Sequence, residues 1–158
     1  MQDRVTKNGK IFKIFKFRTM VENAEKLGAG VTTDNDSRIT RCGKYLRKFR
    51  LDELPQIFNI LKGDMSFVGV RPESVKYVEK YTPEMYATLL LPAGVTSMTS
   101  ILYKDESELL KDSENPDETY INEILPKKME YNLKYIREFN FWYDIKIMFR
   151  TILAVIKK

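Results

Sequence analysis

A proline inside an apolar helical pattern fixes where that helix can begin. In the run "LDELPQIFNILKGD", Leu54, Ile57, Phe58 and Leu61 recur at helical spacing. Pro55 has no N–H to donate and its ring crowds the preceding turn, so it is tolerated only in the first turn. The spacing predicts a helix from about Asp52, with Asp52 as N-cap, Glu53 just inside and Gly63-Asp64 as the stop. Residues 65–68 then read as a short strand, and Arg71-Pro72 forces an extended exit. Two adjacent acids head this helix, with Arg47 and Arg50 before them and Arg71 behind.

The rest of the chain is read around that run. Residues 10–18, "KIFKIFKFR", alternate imperfectly between basic and apolar, and Asn8-Gly9 precedes them, which predicts a strand or hairpin. Residues 19–27 suit a short helix closed by Gly28 or Gly30, and residues 31–38 a polar loop. In residues 40–49, Tyr45, Leu46 and Phe49 mark the apolar side of a basic amphipathic helix. Residues 74–91 read as helical with a break near Thr82-Pro83. Residues 85–103 are uncharged, but Pro92 and Gly94 make them a helix end plus a loop, and no run qualifies as a membrane-spanning helix. Residues 105–123 carry eight acids and one lysine, an exposed acidic segment with Pro116 in a loop. Helices follow over residues 123–138 and 140–158. On the last, Ile145, Met148, Phe149, Ile152 and Ile156 share a face opposite Lys146, Arg150 and Lys157. That face suits either packing on the domain or a membrane interface. With no repeat and no internal boundary, residues 1–158 are expected to form one domain. Its class is α+β, mainly helical: amphipathic helices around a compact basic cleft with a small β-hairpin or sheet.

Composition narrows the chemistry. The 158 residues include one cysteine, Cys42, and no histidine. An internal disulfide framework, a cysteine zinc site, a Ser-His-Asp triad and a histidine metal ligand are all excluded. Any catalysis must use carboxylates, Lys, Arg, Tyr, Ser or Thr. Residues 1–50 hold 13 Lys/Arg against 5 Asp/Glu, whereas residues 51–158 hold 14 against 17. The basic first part calls for an anionic partner: nucleic acid, anionic lipid or a phosphorylated small molecule.

The acidic pair admits two readings. In one, Asp52 caps a helix and Glu53 favours its first turn, for about 1 kcal/mol of helix stability. In the other, the positive potential of a helix start lowers the pKa of Asp52 and keeps it ionised, so that it can attack as a nucleophile without a general base. Glu53 could then hold a divalent cation, and oxygen ligands suit magnesium. A glycosidase pair fits poorly, because adjacent residues cannot flank a bond from two sides. Lys16, Arg18, Arg47 and Arg71 surround the acids in sequence, and arginine forks match phosphate oxygens two at a time.

The segments "KFRTM" and "DSRITRCGKYLRKFRLDELPQIFNILKGDMSFVGVRPE", with "YIREFNFWYDIKIMFRTILAV" near the end, closely resemble the bacterial sugar transferase family. These are monotopic polyprenyl-phosphate phosphoglycosyl transferases that begin capsule, O-antigen, exopolysaccharide and glycoprotein glycan assembly. The resemblance implies that Asp52 attacks the β-phosphate of a nucleoside diphosphate sugar, usually a UDP-sugar. Polyprenyl phosphate then takes the sugar-phosphate from the aspartate. It further implies that Glu53 positions Mg2+, that Arg47 steadies the carboxylates, and that Lys16, Arg18 and Arg71 touch phosphate. The implied setting is the cytoplasmic face of the bacterial inner membrane, without nucleic acid, and a homodimer is compatible with it. A membrane re-entrant hairpin is expected ahead of the first matching residues, and this chain starts just after where it would end. Thr6 stands where the family pattern has glycine, and Val70 where it has proline. The run "PAGVTSMTS" departs from the usual "PGITGWAQ", so contacts there are not carried over. Two alternatives remain: a nucleic-acid-binding module using residues 10–18 and 38–50, and an inactive membrane-surface or partner-binding module.

Overall fold

Basic and apolar residues alternate at the start of the chain because they form a β-hairpin. The structure, a computed structural model, describes residues 2–24, 27, 31–32, 36–111 and 113–156. Strand β1 (Gln2–Val5) runs antiparallel to β2 (Ile11–Ile14), with Val5 opposite Ile11. In the connection Asn8 (φ 58°) and Gly9 (φ 74°) take the left-handed conformation that these residue types adopt at least cost. Phe12 and Ile14 turn inward onto Met65, while Ile11 and Lys13 face out. β2 ends at Ile14, short of residue 18, because the next backbone donors are used elsewhere. The Phe15 N–H bonds Asn59 Oδ1 (2.9 Å), and the Phe17 N–H bonds the Asp52 carbonyl (3.0 Å).

Thr6 fastens the hairpin to a second sheet. Its buried hydroxyl donates to the Asp64 carbonyl (2.8 Å) and accepts from the Ala93 N–H (3.0 Å). Those residues flank β3 (Met65–Val68) and open β4 (Ala93–Thr96), which pair in parallel with Met65 opposite Ala93. β4 corrects the expected helix end plus loop. The chain crosses between the two strands through α3 (Val75–Val78) and a 3-10 turn at Met85–Leu90, the long connection that a parallel pair requires. Thr82-Pro83 does separate those two elements. Gly94 is needed where it stands: a Cβ there would collide with the Gly69 backbone.

Helix α1 (Arg41–Lys48) starts at Thr40, whose hydroxyl accepts from the Gly43 N–H (3.0 Å). Its buried residue is Gly43, pressed on the Thr19 backbone, whereas Tyr45 and Phe49 are exposed instead of forming a core face. No α-helix forms among the described residues of the 19–27 segment. Met20 bridges Ile39, and the Val21 N–H bonds the Arg38 carbonyl (2.9 Å). Residues 25, 26 and 28–30, including the expected glycine stop, lie outside the described residues, as do 33–35 of the polar loop.

The acidic segment is not exposed throughout, since Leu110 and Tyr120 are buried. It forms α5 (Glu106–Leu109), α6 (Pro116–Thr119) and a π-turn at Tyr120–Ile124, with Pro116 in the first turn of α6 and not in a loop. Its apolar residues Leu110, Tyr120 and Ile124 enter the main core beside Leu125 and Met129 of α7 (Leu125–Glu138). Helix α8 (Phe141–Ile156) buries only Ile147 among its described residues, against Val68, Val70 and Tyr135. Of the two uses open to the expected apolar face, packing on the domain is not the one taken by Met148, Phe149, Ile152 and Ile156, which point outward. The result is a mainly helical α+β fold.

Candidate active site

Asp52 and Glu53 lie on a 3-10 turn, Leu51–Gln56, that leads into α2 (Ile57–Leu61). Asp52 is therefore not the N-cap. That position belongs to Arg50, a non-glycine residue in the left-handed region (φ 54°, ψ 22°). The Arg50 N–H bonds the Arg47 carbonyl (3.0 Å) to close α1, and the reversal that follows turns both acids inward. The apolar spacing after Pro55 is present but faces out: Leu54, Ile57, Phe58 and Leu61 are all exposed. The buried residue of α2 is Asn59, whose side chain donates to the Lys13 carbonyl (2.9 Å) and accepts from the Phe15 N–H. With the Phe17–Asp52 bond, this holds the segment after β2 alongside the turn and places Lys16 between two clamps.

The cations converge on Glu53. Arg71 grips both of its oxygens, at 2.5 Å to Oε1 and 3.4 Å to Oε2. Lys16 reaches Oε1 at 3.3 Å and Arg50 reaches Oε2 at 3.8 Å. Burial opposes the Glu53 charge, but Arg71 first and then Lys16 outweigh it and hold this carboxyl well below the usual range. Glu53 in turn raises Arg71. Burial, with Arg71 adding to it, pushes the Lys16 ammonium down to about 8 against the pull of Glu53.

Asp52 stands in the opposite situation. It is 9% exposed, and among the described residues nothing donates a hydrogen bond or ion pair to its carboxylate. Burial first and the Glu53 charge second raise its pKa; Lys16, Arg47 and Arg71 pull the other way without prevailing. This corrects the expected lowering, which took Asp52 as an N-cap in the positive potential of a helix start and left out the effect of burial. The outcome is a desolvated carboxylate with free lone pairs in a field of cations, an arrangement suited to attack on an anionic phosphorus centre once it is ionised.

Of the residues singled out from sequence, Lys16, Arg71 and Glu53 meet directly. Arg47 acts on Asp52 through its charge while its Nε donates to the Thr19 hydroxyl (2.9 Å). Arg18 does not join them: it is exposed and pairs with Glu22 at 2.8 Å. Glu53, expected to hold magnesium, is the centre of a cation cage, and among the described residues no group of three or more acids could hold a metal. A resident ion on Glu53 does not fit this arrangement. Arg50 was missed as a member of the cage. Its place in a basic run was visible, but its left-handed backbone was not. Of the basic residues a nucleic-acid module would use, Lys16, Arg47 and Arg50 are drawn toward the acids, and Arg38 pairs with Asp36 at 2.6 Å.

A family model described as "Bacterial sugar transferase" matches residues 1–158. The chain is 38% identical, over 99% of its length and 34% of the relative's, to a UDP-N-acetylgalactosamine-undecaprenyl-phosphate N-acetylgalactosaminephosphotransferase of Aeromonas hydrophila. It is 38% identical, over 96% of its length and 31% of the relative's, to a UDP-glucose:undecaprenyl-phosphate glucose-1-phosphate transferase of Klebsiella pneumoniae. It is 31% identical, over 98% of its length and 32% of the relative's, to an undecaprenyl-phosphate galactose phosphotransferase of Salmonella typhimurium. The chain thus spans about a third of the length of these curated relatives. With the whole chain matched by the family model, this protein belongs to the bacterial sugar transferase family.

Proposed function

We propose that this chain is the catalytic domain of a phosphoglycosyl transferase acting in bacterial glycan assembly. It moves a sugar-phosphate from a nucleoside diphosphate sugar, of which a UDP-sugar is the foremost candidate, to a polyprenyl phosphate. The contrast between the two neighbouring acids carries this reading. Glu53 is saturated by Lys16, Arg50 and Arg71, while the carboxylate of the buried Asp52 has no bonded partner among the described residues.

In the first step an Asp52 oxygen attacks the β-phosphorus. The bond from that phosphorus to the bridging oxygen breaks, and the nucleoside monophosphate leaves with the electron pair. A phosphosugar remains on Asp52 as an acyl phosphate. In the second step a phosphate oxygen of the lipid acceptor attacks the same phosphorus, the acyl–phosphate bond breaks and the Asp52 carboxylate is restored. Lys16, Arg47 and Arg71 neutralise the diphosphate, and Glu53 keeps Lys16, Arg50 and Arg71 positioned, so placement and charge do most of the work. Magnesium, if it takes part, would come with the donor and add positive charge against the diphosphate; Glu53 is not assigned to hold it, because Lys16, Arg50 and Arg71 already occupy its oxygens.

The membrane part of the reading rests on surface chemistry. Phe141, Trp142, Phe149, Ile152, Leu153 and Ile156 of α8 are exposed, as are Leu54, Ile57, Phe58 and Leu61 beside the site. No helix among the described residues is long and apolar enough to cross a membrane. These faces suit a domain lying on the inner-membrane surface at its cytoplasmic face, where nucleotide sugars are found.

A panel of UDP-sugars assayed for UMP release, with mass spectrometry of the protein, tests the proposal. UMP release with a phosphosugar adduct on Asp52 is expected. Turnover by an Asp52→Asn protein at the rate of the parent would reject it.

A further inference from the structure

Between the Leu51–Gln56 turn, α4 (Met98–Leu102) and the end of α8 lies a pocket of about 250 Å3. Leu54, Ile57, Ile101, Ala154 and Val155 make it apolar, and its charged lining is Glu53 with Arg50, Lys48 and Lys104. This volume is below the roughly 300–1,000 Å3 of sites that enclose a whole drug-sized ligand, so the pocket takes one end of a molecule. Apolar walls joined to cations fit an amphiphile with an anionic head. A sugar or a nucleobase would lose its hydrogen bonds against those walls.

Arg50 links the pocket to the acid pair. Its guanidinium donates to the Ser100 carbonyl (3.1 Å) and reaches Glu53 only at 3.8 Å. Its left-handed backbone is a conformation that non-glycine residues hold at a cost, and such strain gathers at functional sites. The helices that line it carry exposed apolar residues of their own, Phe58 and Leu61 on α2 and Ile152, Leu153 and Ile156 on α8. The pocket thus lies between two outward-facing apolar surfaces, with its charged lining next to Asp52.

We infer that this pocket holds the phosphate-proximal isoprene units of the polyprenyl phosphate acceptor, with Arg50 on the lipid phosphate. The identity of the lipid rests on the transferase reading; the pocket's chemistry does not. Charge complementarity and continuity with the acid pair favour a single-chain lipid phosphate over a two-chain phospholipid, for which a pocket this small has no room.

Binding of geranylgeranyl phosphate to the full chain, followed by calorimetric titration, tests this without turnover. Ala154→Trp, which fills the pocket, and Leu54→Gln are each expected to raise Kd by about tenfold or more, the loss from unburied isoprene carbons. Leu54 is exposed in the free protein, so its substitution decides the matter if Ala154→Trp fails to fold. Inorganic phosphate and geranylgeraniol are each expected to bind at least about tenfold more weakly than the lipid phosphate. Arg50→Gln should weaken geranylgeranyl phosphate and leave geranylgeraniol unchanged. Parent-like affinity in the folded variants, or inorganic phosphate binding as tightly as the lipid, would overturn the inference. So would displacement of the probe by an equal concentration of phosphatidylglycerol. Loss of lipid binding in the variants, in a protein that releases no UMP from any nucleotide sugar, would keep the pocket and sink the transferase. UMP release with unaltered lipid binding in both variants would do the reverse.

Discussion

Glu53 and Glu73 are each packed among cations, yet their surroundings differ in one respect. Glu73 accepts from the Tyr120 hydroxyl (2.5 Å) and from Lys128 Nζ (3.4 Å), and Lys128 also reaches Glu106 (2.9 Å) and the Tyr120 oxygen (2.8 Å). Burial opposes the charge on both Glu73 and Lys128, and their mutual attraction overcomes it. That network is closed: each of these groups has a partner, and together they join the 71–73 segment, α5, the π-turn and α7. The Glu53 network has one member left open, the neighbouring Asp52. A closed buried network ties elements together, whereas one with an unpartnered carboxylate keeps a reactive group available at the expense of stability.

The sharpest test of this contrast is Asp52→Asn. Turnover should fall by about 10⁴-fold or more, the scale seen when a nucleophile is removed. Stability should rise, because burial raises the Asp52 pKa and an amide removes the charge that the fold disfavours. Nucleoside monophosphate release and urea unfolding measure the two effects, and a less stable Asn protein would break the comparison. Lys128→Met should behave in the opposite way. It strands Glu73 and Glu106 without their ammonium, a loss of about 3–5 kcal/mol in unfolding free energy. Adding Glu73→Gln should restore part of that loss, since it removes an orphaned charge.

What could be read from the sequence was what is local. Pro55 located the turn, and residues 65–68 formed the strand expected of them. β4 was hidden because parallel pairing joins residues far apart in sequence, and its glycine serves backbone approach instead of a turn. Charge alternation could not tell which cations turn inward, so Arg18, which finds Glu22 four residues on, looked equivalent to Lys16. Periodicity likewise shows that α2 and α8 have an apolar face but not what covers it. The direction of the Asp52 shift depends on burial, which requires the fold.

That uncovered face gives the next expectation. Leu153→Glu on α8 should weaken binding to anionic vesicles by about tenfold or more, the scale of about 1.5–3 kcal/mol for a leucine kept from an apolar environment. Flotation of the two proteins measures it, with unchanged unfolding as the control, because Leu153 is exposed. The pH profile follows in size. Asp52 must be ionised, and its pKa lies above the ordinary aspartate value, so turnover should fall on the acid side before an ordinary aspartate would protonate. Lys16 must be charged and titrates near about 8, so turnover should fall again as pH rises through that value. Lys16→Arg should remove the alkaline limb, because a guanidinium stays charged there.

The smallest effect expected is a null, and it bears most directly on Glu53. In the free chain its two oxygens already face Arg71, Lys16 and Arg50, so a dication would have to displace cations and enter a region they dominate. Magnesium alone should then leave Tm unchanged. A resident site filled at a hundredfold excess over its Kd would instead add about 2.7 kcal/mol. The nucleotide sugar brings a diphosphate that draws the same cations and offers oxygens of its own. In the Asp52→Asn protein, where the first step cannot proceed, magnesium and donor together should therefore raise Tm by more than the sum of their separate effects. Calorimetry of the four combinations measures this, and a rise from magnesium alone would show that the cage opens for the metal before any phosphate arrives.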